Sequence, residues 1–177
     1  MSAKKVNMSL SIADCPNIYE RAKELGLREP HDIAFLPRNF FSAEDCHQLA
    51  YGGSVSMLER LFSEEGLPAM RLDSEGRKKS LFVRNTLGLV VPVVPIVFIA
   101  ACVHAQHPEL VNIACGVLAN YITKFLQPGE GEAPAKVTFV VETTKTKQIK
   151  RLSYEGPVEG ITKLPKELWA VANEVSA

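Results

Sequence analysis

"LGLVVPVVPIVFIAACVHAQHPELVNIACGVLANYITKFL", residues 87–126, is the stretch on which the fold turns. No Asp, Glu, Lys or Arg occurs between Arg84 and Glu109, and the run is apolar almost throughout. It either crosses a membrane or fills a protein core. A spanning helix needs about 20 continuous apolar residues. Leu87 to Val103 falls short of that and is interrupted by Gly88, Pro92 and Pro95. Each internal proline removes a backbone hydrogen bond, which lipid would leave unanswered. A protein core is the preferred reading, and insertion of residues 87–106 into a membrane is the alternative.

Within a core the run divides. "LVVPVV" (89–94) reads as extended chain, and Pro95 suits the first turn of a short helix, "IVFIAACVHAQ" (96–106). His107 precedes a proline and is pushed out of the helical region, so a second helix starts at Pro108. That helix carries Leu110, Ala114, Val117, Leu118, Tyr121 and Phe125 on one broad stripe, with Asn112, Asn120 and Lys124 off it. It ends at Pro128 in "QPGEGEAPA", a loop rich in glycine, proline and acid.

Downstream, "KVTFVVET" and "QIKRLSYE" flank "TKTK" and predict an antiparallel hairpin, with Val137, Phe139, Val141, Leu152 and Tyr154 facing inward. "GPVEG" then turns the chain into a last helix bearing Leu164, Leu168, Val171 and Val175. Upstream, "VNMSLSIA" alternates Val6, Met8, Leu10 and Ile12 with polar residues, the period of a strand with one wet face. Asp14 and Pro16 introduce a helix that ends at Gly26. "HDIAFLP" does not alternate and reads as a strand buried on both faces. "AEDCHQLA" predicts a short helix stopped by Gly52 and Gly53, and "VSMLERLFSEEG" a second one capped by Ser54 and closed at Gly66. "PAMRLD" and "KSLFVRN" predict two strands joined by "SEGRK".

The expected fold class is therefore α+β, mixed sheets with packed helices. Residues 1–84 form an N-terminal subdomain of alternating strands and helices. Residues 85–177 form a C-terminal helix, β-hairpin, helix subdomain. The 177 residues suffice for one buried core, and 46% hydrophobic with 23% charged residues is the balance of a globular chain, not a disordered one.

Twenty basic residues balance twenty acidic ones, so no overall field draws the chain onto nucleic acid. Lys145, Lys147, Lys150, Arg151, Lys163 and Lys166 cluster in sequence, as do Arg77, Lys78 and Lys79. No aromatic residue is interleaved to stack on bases, so a solvated role that protects strand edges is preferred. The four widely spaced cysteines follow no apolar leader segment, and a reducing, cytoplasmic setting is expected.

Motifs for chemistry are sparse. Cys102, His104, His107 and Cys115 have the right ligand types for tetrahedral zinc, but the spacing lacks a C-x-x-C pair, and packing is the preferred role. Cys46 and His47 are adjacent, and neighbours on a helix point about 100° apart, so they do not face each other as nucleophile and base. No phosphate loop, H-E-x-x-H or G-x-S-x-G occurs. No catalytic residue and no cofactor is expected. The apolar surplus of 95–126 points to a non-catalytic protein-binding or accessory module that meets a protein partner or its own copy. Leu110, Val117, Leu118, Tyr121 and Phe125, or an open edge of the 136–155 hairpin, are the expected contact surface. A membrane-associated protein that inserts residues 87–106, or a small metal-binding protein or enzyme, are the alternatives.

Overall fold

The computed structural model describes residues 7–51, 55–72, 94–126 and 134–175. Six strands form one mixed sheet in the order β1 (Ser9–Asp14), β6 (Ile149–Gly156), β5 (Ala135–Glu142), β4 (Ile96–Ile99), β2 (Ile33–Leu36) and β3 (Ala69–Arg71). β2 with β3 and β4 with β5 run parallel, and the other neighbours are antiparallel. Five α-helices accompany it among the described residues: α1 (Ile18–Glu24), α2 (Val55–Glu64), α3 (Ala101–Gln106), α4 (Pro108–Tyr121) and α5 (Leu164–Ala172). The α+β class is the observed one. Strands from before and after residue 85 share this single sheet, with β4 joining β2 to β5.

The decisive stretch differs from its sequence reading at one point. Ile96–Ile99 is a strand, not the start of a helix, and the helix is confined to Ala101–Gln106. Val97 pairs with Phe35 on one side and Phe139 on the other. A short strand buried on both faces has no alternation to distinguish it from a buried helical turn. The β-branched Ile96, Val97 and Ile99 favour the strand. Residues 89–93, the "KSLFVRN" strand with its "SEGRK" turn, the "GGS" of 52–54 and the loop of 127–133 lie outside the described residues. Among the described residues no helix is long and apolar enough to cross a membrane.

Each face of the sheet carries its own core. Phe35, Val97, Ile99, Val137, Phe139, Leu152 and Tyr154 pack with α2, α4 and α5. Ala34, Leu36, Phe98 and Val140 pack with α1 and the segment that follows β2. Local chemistry sets the helix ends. The Asn17 side chain accepts the N–H of Tyr19 at 2.9 Å and of Glu20 at 3.2 Å, so the N-cap lies one residue beyond Pro16. Gly26 and Gly66 follow α1 and α2 at φ of 65° and 73°, the left-handed turn that stops a helix and suits glycine. "AEDCHQLA" narrows to one 3₁₀ turn, Cys46–Gln48, started by Asp45, which accepts the His47 N–H at 2.7 Å. The predicted hairpin is present, and all five of its inward residues are buried.

The corner after β6 depends on Tyr154, whose hydroxyl donates to the Pro157 carbonyl at 2.7 Å. A Cβ at Gly160 would fall on that hydroxyl and the adjoining ring. Gly160→Ala is expected to destabilise the protein by about 1–3 kcal/mol, the usual cost of overpacking, read as an earlier urea midpoint at unchanged slope. Wild-type stability in that variant would show the corner to be loosely packed.

Candidate interaction surface

α5 is positioned by the turn of the hairpin. The Thr144 N–H donates to the Ala172 carbonyl at 2.7 Å, and the Thr144 hydroxyl donates to it at 3.2 Å. Beyond the helix, Glu174 adopts φ of 55°, and the Val175 N–H reaches back to the Ala170 carbonyl at 3.0 Å. This six-to-one closure satisfies a terminal carbonyl that would otherwise be orphaned. Glu174 also accepts the Thr146 N–H at 3.2 Å and the Thr146 hydroxyl. The hydroxyl contact holds its carboxyl below the usual range.

The same closure sets Val175 beside Val171, facing β1. Ile12, Ala170, Val171 and Val175 line a groove of about 560 Å³ between β1 and α5, with the Asp14–Lys150 ion pair and Glu174 at its rim. Met8 and Ile12 are 66% and 52% exposed, and Val175 is 51% exposed. β1 ends the sheet, with β6 as its one strand neighbour among the described residues. The Cys15 N–H donates to the Ile149 carbonyl at 3.0 Å. Backbone direction alternates along a strand, so Leu10, Ile12 and Asp14 turn their N–H and C=O groups to the open edge.

The alternation of Val6, Met8, Leu10 and Ile12 with polar residues predicts a dry apolar face opposite the wet one. Leu10 packs on the core, whereas Met8 and Ile12 project beyond it. Val6 lies outside the described residues. Edge position is decided by which strands pair, and no local pattern signals it.

The α4 stripe has a different destination. Leu118 is fully buried and Tyr121 is 6% exposed, both in the core beneath the sheet. Leu110 and Val117 are half-buried and pack against that core. Phe125, beyond the helix, is 49% exposed and stacks on Tyr121 with ring centroids 5.3 Å apart. The hairpin has no open edge, because β4 covers β5 and β1 covers β6. The supposed basic cluster is also divided. Lys145 and Lys147 stand at the hairpin turn against the C-terminal end of α5, while Lys163 and Lys166 lie at its other end, ~13 Å away along the axis. Arg77, Lys78 and Lys79 lie outside the described residues.

The four candidate metal ligands do not converge. Cys102 is exposed, with its thiol 3.6 Å from an Asp32 carboxylate oxygen, and His107 faces Glu109 at 3.2 Å. His104 and Cys115 are buried. Among the described residues no three His, Cys, Asp or Glu side chains are placed to hold a metal ion. His107, at φ −137° and ψ 56°, ends α3 and begins α4, so the four residues do not share one continuous helix. Nor are the thiols activated. Burial and then Asp32 push the Cys102 thiol up, and burial pushes Cys115 up to about 12. A protonated thiol is a poor nucleophile. Cys46 packs against the second core.

Comparison of the chain with protein-family models, with curated proteins and with solved structures finds no match to any of them.

Proposed function

We propose that this protein is a non-catalytic binding module that docks an extended strand of a partner protein along β1. The observation that carries the reading is the combination at that edge. Open backbone hydrogen-bonding groups lie beside an apolar row, Met8, Ile12, Val171 and Val175. An added strand satisfies the former by main-chain pairing and covers the latter with side chains. Natural sheets usually blunt an exposed edge with lysine, proline or a bulge. β1 has none of these and carries one charge, Asp14, at its end. All four cysteines are free, which suits the reducing cytoplasm as its working compartment.

Ile12→Lys tests the reading, since that side chain is half exposed and can change without opening the core. Affinity capture from the native cell should recover a partner with the wild-type chain and lose it with the variant, while circular dichroism and melting temperature stay unchanged. Equal recovery by both chains would overturn the assignment of β1 as the docking edge.

A further inference from the structure

We infer that the strand added to β1 is β1 of a second copy, antiparallel about a two-fold axis through Leu10; this rests on β1 being the docking edge. The two most exposed apolar side chains of that edge, Met8 and Ile12, stand two residues either side of Leu10 and on the same face of the sheet. A two-fold through Leu10 sets Leu10 opposite Leu10 and places Met8 of each copy opposite Ile12 of the other. Both exposed side chains are thereby covered, and the apolar row continues unbroken from one copy to the next. The backbone agrees with this register. Leu10 and Ile12 direct their N–H and C=O groups outward, and in an antiparallel pair outward residues must oppose outward residues to exchange hydrogen bonds.

Charge agrees too. Residues 7–13 carry no charged side chain, so symmetric pairing brings no like charges together. A two-fold through Ser11 would set Met8 against the Asp14 carboxylate, and one through Ile12 would carry Met8 past the end of the partner strand, so neither covers both exposed side chains. The isologous contact closes on itself, joining two six-stranded sheets into one of twelve and removing the β1 edges.

Light scattering and disulfide trapping test this in the full chain, with Cys102→Ser to remove the exposed thiol. The wild-type chain should scatter as a dimer, and Ile12→Lys as a monomer that keeps the wild-type circular dichroism and no longer shows a melting temperature that rises with protein concentration. Leu10→Cys should trap nearly all of the protein as a covalent dimer on mild oxidation, while Ser11→Cys traps little. Trapping at position 11 but not at 10 would overturn the register. A wild-type chain that stays monomeric at high micromolar concentration would overturn self-pairing altogether. In that event, recovery of a different protein that is lost on Ile12→Lys would leave the docking edge intact, and its absence would remove both proposals.

Discussion

Phe139→Ala is expected to lower stability by about 3–5 kcal/mol, the range for deleting a fully buried phenylalanine ring. Phe139 lies on β5, with Val97 of β4 on one side and Leu152 of β6 on the other, and is fully buried among residues of α2, α4 and α5. The ring has no surface to move toward, and removing it leaves a cavity where the strands of both halves of the chain meet. For a protein of this size the loss corresponds to a fall of roughly 10 °C in melting temperature. Urea titration should show the earlier midpoint with an unchanged slope. A loss below 1 kcal/mol would mean that the sheet and helices do not close over this position.

His104 should make the protein sensitive to mild acid. Its imidazole is 3% exposed, Nε2 has no hydrogen-bond partner among the described residues, and burial lowers its pKa from 6.5 to about 4. Between those values the unfolded chain binds a proton that the folded chain refuses. The contribution of this group to stability is therefore intact above pH 6.5 and falls as the pH drops toward 4. It amounts to roughly 3 kcal/mol at 1.36 kcal/mol per pKa unit. Carboxylates held low in the folded protein, Glu109 and Glu174, act in the same direction at the acid end, so the measurement is a difference. His104→Leu should flatten the pH profile between 6.5 and 4 relative to wild type. It should also match or exceed wild-type stability at pH 7, because a buried nitrogen without a partner is removed. Parallel profiles for the two proteins would show that the imidazole is hydrated in the folded state.

What could be read from the residues alone follows the range of the physics involved. The β5–β6 hairpin was legible because alternation, turn residues and the inward set from Val137 to Tyr154 are all local. α4 was legible from Pro108 and its apolar stripe, and α1 and α2 from their closing glycines. β4 was not, because four apolar residues buried on both faces carry no period. The destination of the α4 stripe was not either. Leu118 and Tyr121 lie on the apolar stripe, but that this face meets the chain's own sheet depends on strands at least 14 residues away in sequence. The exposed edge followed the same rule. Met8 and Ile12 have the pattern of a buried face, and they remain at the surface because β1 is last in the sheet.

The measurement that bears most directly on the fold, and so on where the open edge lies, is the backbone assignment of Ile96–Ile99 by nuclear magnetic resonance. Strand-like shifts are expected there, with cross-strand contacts from Phe98 to Ala34 and to Val140. Helical shifts with contacts three residues along the chain would remove β4, and with it the single six-stranded sheet.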